Sequence, residues 1–372
     1  MNIALIDNEY CTRSKHDFPN LALMKLSAYH KSIGNNVELV NFDMVNTNTL
    51  FNKQYDKIYL SKVFSDTYTP DFVDKLPNLI KGGSGFYYDL AEKLPEQIEH
   101  IKPDYELYKG ICNGKYYDDF SIGFTTRGCI RQCDFCINKN SKKVVHHAYI
   151  DEFLEKSKPY IMLLDDNITA YKGFYDVFDM LNKTGKPFIF KQGMDFRLLT
   201  LKKMQKIWYS NYYSSSAKNK KSGRTFFYAF DNIKDYNLID RKLNLYMSNL
   251  PYKHNLIFYT IVGFDYNGKY DNDFYTRDIE NLFVRIKLLF NYGAFAYVML
   301  HENYNNNPNS KILIQIRRLC NAPVHIAGKK VGDALLQMKY YKTYDFIKDK
   351  YPWFLEVKQN VKNIKVIWKK NY

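Results

Sequence analysis

Short apolar runs that end in polar turns alternate, along the first third of the chain, with stretches of helical period. Residues 2–7 (NIALID) are apolar up to the turn and read as a buried parallel strand. In 18–34, Leu21, Met24, Leu26 and Tyr29 fall roughly on one helical face, and Gly34 supplies the stop. Residues 36–42, 56–64 and 77–85 are again short and β-prone. This order predicts a parallel sheet with helices on its faces. Gly82 and Gly83 directly follow the last of these strands. They allow close backbone approach to a ligand or a tight turn, and two glycines alone favour the turn.

Periodicity is lost over 95–119, a tyrosine-rich stretch that reads as a linker. Strand-like runs return at 120–128, 160–167, 187–195, 225–232, 255–264 and 294–300, with helical stretches such as 171–183 and 273–291 between them. Strand–helix units repeated in this way fit a partial (β/α)6 barrel of TIM type better than an open sheet. In such barrels ligands gather at the C-terminal ends of the strands. Several strands end in polar or glycine-containing turns: Asp165-Asp166-Asn167, Gln192-Gly193-Met194-Asp195, Asp231-Asn232 and Gly263. One shared site would explain them, and so would plain helix N-caps. The expected fold is α/β: a Rossmann-like parallel sheet over 1–94, the linker over 95–119 and the partial barrel over 120–303. A mostly helical extension over 304–372 opens on a polar loop at 304–311.

Apolar residues at 46% and charged residues at 25% describe an ordinary globular chain. The apolar run at the N-terminus has no positive leader and is too short for a signal peptide. No stretch approaches the roughly 20 apolar residues that span a bilayer. Six cysteines without a secretory signal point to a reducing cytoplasm, where clustered thiols serve as ligands rather than disulfides. The net charge of +15 is compatible with nucleic acid or another acidic partner, and equally with solvated lysine-rich faces. Residues 217–224 (AKNKKSGR) and 366–372 (VIWKKNY) are the densest basic patches.

Three of the cysteines, Cys129, Cys133 and Cys136, crowd into the segment FTTRGCIRQCDFCIN, residues 124–138. A structural zinc site needs four ligands. His146 or His147 would complete a Cys3His set, giving a zinc-stabilised basic nucleic-acid-binding module as the alternative reading. Three thiolates from one loop also suit three irons of a 4Fe–4S cube, leaving the fourth iron open.

The spacing Cys129-x3-Cys133-x2-Cys136, with Phe135 before the last cysteine and a strand just before the first, resembles the signature loop of the radical S-adenosylmethionine superfamily. That resemblance implies a 4Fe–4S cluster on the three cysteines. It also implies S-adenosylmethionine on the open iron, reductive cleavage to a 5′-deoxyadenosyl radical, and an electron donor of the flavodoxin or ferredoxin type. It places the amino group of S-adenosylmethionine near Asp165, Asp166 and Asn167, where the family usually has two glycines and a glutamate. It offers Gln192, Asp195 and Arg197 for the ribose and carboxylate, with Asp231 closing the fourth strand. Val262 and Gly263 resemble the place where adenine packs. Ile130 stands where the family often has proline.

The N-terminal units and the segment 98–108 resemble the cobalamin-binding-type domain and bridge found ahead of many such cores. No Asp-x-His-x-x-Gly run supplies a lower axial histidine, so cobalamin would bind without one or the domain would be empty. A methylthiotransferase is disfavoured, because only Cys11 and Cys112 stand upstream for a second three-cysteine cluster. Cys320 reads as a small buried residue. Substrate and outcome, whether methyl transfer or rearrangement, stay open.

Overall fold

The computed structural model describes residues 1–13, 18–46, 53–109, 118–213, 224–250 and 255–361. Cys112, most of the basic patch at 217–224, all of that at 366–372 and residues 110–117 of the linker lie outside them. The architecture is mixed α/β with parallel sheets, in two compact units, Met1–Asp166 and Asn167–Tyr372.

The first unit opens with strand β1 (Asn2–Asp7), helix α1 (Asn8–Thr12), helix α2 (Leu21–Ser32) and strands β2 (Asn36–Leu39), β3 (Lys57–Ser61) and β4 (Leu79–Gly82). These strands form a parallel sheet in the order β2-β1-β3-β4. The period of two along β1 sends Ile3 and Leu5 to one face and Ala4 and Ile6 to the other. Both faces are covered, so all four side chains are fully buried. Each of the larger ones stabilises the fold by about 1.5–3 kcal/mol. α2 starts where the Asn20 side chain accepts from the Leu23 amide, and it ends at Gly34, whose φ of 80° suits glycine.

The segment read as a linker is not a tether over its described part. Ile98, Tyr105, Leu107 and Tyr108 pack with α2 and one face of β1. Tyr108 donates to the Asp7 carboxylate at 2.7 Å, and Tyr105 donates to the Phe153 carbonyl at 2.7 Å. The loss of helical period is real; the burial is carried by isolated aromatic anchors, each with its hydroxyl satisfied.

Next come β5 (Phe120–Gly123), the short antiparallel pair β6 (Thr126–Arg127) and β7 (Val145–His146), and β8 (Tyr160–Leu163), parallel to β5. In the second unit β9 (Phe188–Phe190) is followed by the parallel trio β10 (Thr225–Ala229), β11 (Asn255–Val262) and β12 (Phe295–Leu300). Helices α3 (Phe174–Lys183), α4 (Leu201–Tyr209), α5 (Tyr236–Asn249) and α6 (Asn272–Asn291) alternate with them. Phe174 and Phe178 of α3 pack on one another, and Phe178 packs on Phe188 and Phe190 of β9. The part of 304–311 expected as loop is shorter than read, since a 3-10 turn covers Glu302–Asn306 and helix α7 spans Ser310–Asn321. Helices continue to Leu355. Among the described residues no helix is long and apolar enough to cross a membrane.

Candidate metal-binding loop

The three cysteines lie on a loop that leaves β5 and is closed at its base by the β6–β7 pair, so the chain enters and leaves side by side. Entry requires Gly128. Its φ is 93°, and a Cβ there would stand 2.3 Å from the Lys143 carbonyl oxygen.

The residues after β8 hold this loop from below. Asp165 is fully buried and accepts from the amide and hydroxyl of Thr125 (3.0 and 2.6 Å) and of Thr126 (2.7 and 2.6 Å). Burial pushes its carboxyl above the ordinary value, and those four donors push back. Asp166 spans the loop: one oxygen accepts from the Gly128 amide at 2.7 Å and the other from the Asn138 side chain at 2.7 Å. One carboxylate thus ties the position before Cys129 to a position two beyond Cys136. The Ser141 hydroxyl accepts the Cys129 amide at 3.2 Å.

The sulfurs receive backbone donors. The Arg131 amide points at Cys129 Sγ (3.3 Å) and the Asn138 amide at Cys136 Sγ (3.4 Å). All three thiols are half-buried, and none of the described cysteines is in a disulfide. The donor set therefore suits an iron–sulfur centre in kind. The sulfurs are not drawn into a ligand cluster, however: among the described residues no group of three or more His, Cys, Asp or Glu stands ready to hold a metal ion. The two histidines considered for a Cys3His set are engaged elsewhere. His147 bonds Glu99 at 3.0 Å, and His146 packs on Tyr149.

Glu99 anchors the base of the loop from the segment read as linker. Its Oε1 meets Lys25 of α2 (2.9 Å), His147 (3.0 Å) and Arg127 of β6 (3.3 Å). Burial alone would push this carboxyl up. The His147 hydrogen bond and the charge of Lys25 outweigh it and bring it down to about 2. A folded-state value below the unfolded 4.5 means the stabilisation is full above that pH and is lost as pH falls toward about 2. Glu99→Gln is expected to cost about 2–3 kcal/mol at neutral pH. Urea midpoints should show the difference from the parent shrinking between pH 4.5 and 2. A difference independent of pH would refute the ion-pair account.

Of the residues offered for S-adenosylmethionine, Asn167 follows β8 in sequence, and those from Gln192 onward lie at or just beyond the carboxyl ends of β9, β10 and β11. Asn167 accepts from the Thr169 hydroxyl at 2.7 Å. Gln192 is exposed, beside Gly193 with its φ of 85°. Arg197 is spent on its own neighbours, pairing with Asp195 (2.7 Å) and Asp235 (2.7 Å). Asp231 accepts the Ile261 amide at 3.1 Å, and burial raises its carboxyl to about 6 against the pull of Arg285. Val262 is buried, and the Gly263 amide donates to Asp278 at 2.7 Å. A Cβ at Gly263 would stand 3.0 Å from Tyr304, so that space is already filled.

Arg285 of α6 was not signalled by the sequence, because an arginine on an amphipathic helix ordinarily faces solvent. It is 2% exposed and donates to the carbonyls of Phe230 (3.1 Å), Asp231 (2.8 Å) and Ile261 (2.9 Å). It thereby ties the ends of β10 and β11 together.

The sheet order β2-β1-β3-β4 reverses between β1 and β3, the crevice where open parallel sheets take ligands. Here its polar groups serve the protein itself. The buried Glu9 carboxylate accepts the amides of Val63 and Phe64 (both 3.1 Å), and Asn20 donates to Ser61 at 2.8 Å. Buried Asn8 bonds Tyr68 and Thr69. These residues do not fit a corrin, because their polar groups are already engaged within the protein. Cys11, half-buried, is pushed up to about 12 by burial, as is the buried Cys320.

No protein-family model matches the chain, and no curated protein does. One solved structure that it resembles is an apo, selenomethionine-labelled cobalamin-dependent S-adenosylmethionine radical enzyme, OxsB. The match has a TM-score of 0.40 and 13% identity over 99% of this chain and 58% of that one. This chain therefore spans less than two thirds of its neighbour's length, and a likeness at that score says nothing further about this protein.

Proposed function

We propose that the chain is a radical S-adenosylmethionine enzyme whose Cys129, Cys133 and Cys136 hold a 4Fe–4S cluster. One observation carries the reading: three thiols at this spacing ride on a closed loop between two parallel strands, with carboxylates of the second strand gripping the loop. The alternation of strand and helix from β5 to β12 supports a partial (β/α)6 barrel as its frame.

When bound, the cluster supplies the electron that splits S-adenosylmethionine to methionine and a 5′-deoxyadenosyl radical, which takes hydrogen from an unreactive carbon. The chain does the positioning. Amides of Arg131 and Asn138 donate to the sulfurs of Cys129 and Cys136, and Asp166 keeps the loop from opening. Asp165 and Asp166 act through the loop in this reading, which leaves Phe135, Asn167, Gln192 and the strand-end groups Asp195, Asp231 and Val262 for the nucleoside and amino acid, while Gly263 is already packed against Tyr304. Arg197 sets Asp195. The electron comes from a donor of the flavodoxin or ferredoxin type.

Anaerobic reconstitution should give a brown protein with about four irons and as many sulfides per chain. Dithionite and S-adenosylmethionine should then yield 5′-deoxyadenosine. Zinc without sulfide, together with no nucleoside product, would defeat the reading in favour of a zinc-stabilised module.

A further inference from the structure

The strap that follows β4 reaches the cysteine loop. It begins at Gly82-Gly83-Ser84-Gly85, where the backbone passes directly over Lys62 at the end of β3. The Gly85 amide donates to the Lys62 carbonyl at 2.9 Å, and the Ser84 hydroxyl to the Val63 carbonyl at 2.9 Å. A Cβ on Gly83 would stand 2.2 Å from the Lys62 carbonyl oxygen, and one on Gly85 2.4 Å from the Lys62 side chain. The close approach these glycines allow is therefore to the protein's own strand.

A helical turn, Ser84–Tyr87, then delivers Tyr88 in an unusual conformation, φ 49° and ψ −119°. A non-glycine residue there carries strain of about 1–3 kcal/mol, which persists only where the surroundings demand it. Apolar burial is not the reason, because Tyr87, Tyr88 and Leu90 are 42%, 40% and 78% exposed. What the conformation achieves is contact with the loop. The Tyr88 hydroxyl donates to the Phe135 carbonyl at 2.8 Å. Next to it, Asp89 accepts from Asn140 (2.9 Å) and pairs with Lys139 (3.3 Å).

The Phe135 carbonyl belongs to the same peptide plane as the Cys136 amide, and that amide donates to the Cys133 carbonyl at 2.8 Å. One rigid plane is therefore held at both edges, by Tyr88 on one side and by Cys133 on the other. Its tilt sets where the Cys136 thiol stands relative to Cys133. Asp166 and Ser141 hold the Cys129 side of the loop by separate bonds.

We infer that Tyr88, seated by Asp89, is a positioning residue for Cys136, through which the N-terminal sheet fixes the geometry of the cysteine loop. The significance for a cluster rests on the function proposed above; the positioning itself does not. Tyr88→Phe removes a single hydroxyl from a half-exposed ring and should leave the thermal midpoint nearly unchanged. In the metal-free full chain, alkylation by iodoacetamide, followed by peptide mass spectrometry, reads each thiol separately. Cys136 should react about five-fold faster in Y88F, the change one ordinary hydrogen bond is worth, while Cys129 keeps its parent rate. Tyr87→Phe is the control and should change neither. In the reconstituted protein Y88F should lose iron to a chelator faster by a similar factor. Equal rates at Cys136 in parent and Y88F would overturn the inference, as would a uniform rise at all three thiols. A parent protein that takes no iron would defeat the proposed function, and the alkylation result would still decide the positioning.

Discussion

Under the proposed function, replacing Cys133 with alanine is expected to abolish iron–sulfur binding and, with it, 5′-deoxyadenosine formation. Cys133 is the middle cysteine of the three proposed as ligands, and its carbonyl also receives the Cys136 amide. Alanine keeps that backbone bond and the grip of Asp166 on Gly128 and Asn138, so the loop should stay closed while losing one sulfur. With fewer than three protein thiolates, a bound 4Fe–4S cluster would have too few bonds to stay assembled. Iron should fall from about four per chain toward background. Cys320→Ala makes the comparison specific: that thiol is buried on α7 in the second unit, outside the cysteine loop, and its removal should leave iron content unchanged. If C133A retained iron and still formed nucleoside, the ligand assignment would be wrong.

Removing the Arg285 guanidinium, as in Arg285→Met, should give the largest loss of stability of any substitution considered. The methionine stem can fill the space, but three carbonyls at the ends of β10 and β11 lose their donor. Asp231 and Asp278 also lose a positive neighbour. Breaking a buried ionic arrangement on one side costs about 3–5 kcal/mol. The pH dependence has a definite sign. Both carboxyls already titrate near 6 in the folded chain because burial outweighs the pull of Arg285, against 3.8 unfolded. Their ionisation therefore opposes folding as pH rises from about 4 to about 6. Without Arg285 that window extends upward, so the deficit of the variant should be smaller at pH 5 than at pH 8. Urea midpoints at the two values measure it. A loss below about 1 kcal/mol, typical of a surface site, would show that Arg285 is not the tie it looks like.

Much of the fold is legible in the chain because strand and helix periods are local. The runs at 2–7, 36–42, 56–64 and 77–85 became the four strands of the first sheet, the first in full and the other three shortened. The cysteine loop was equally plain, since its three cysteines lie within one short segment. Asp165 and Asp166 were visible as polar residues, but their work was not. Their partners, Thr125 to Asn138, precede them by 28 to 40 residues, a separation no periodicity records. The same holds for Glu99, whose partners Lys25 and His147 lie far to either side in sequence. Arg285 was hidden for a different reason, as an always-charged side chain defies the rule that places such groups in water.

The tyrosines at 105 and 108 bear on how modular the protein is. A boundary at residue 94 looks natural from the hydrophobic pattern, yet a chain severed there would lose Ile98, Tyr105, Leu107 and Tyr108 from the cluster around Ile3, Leu5 and Met24. It would also strand the buried Asp7 carboxylate without the Tyr108 hydroxyl. The N-terminal sheet should therefore be insoluble or molten when expressed as residues 1–94 and folded when extended to 109. Recombination that swaps this sheet between proteins would have to carry the bridging segment along, because that segment is part of the sheet's own covering layer.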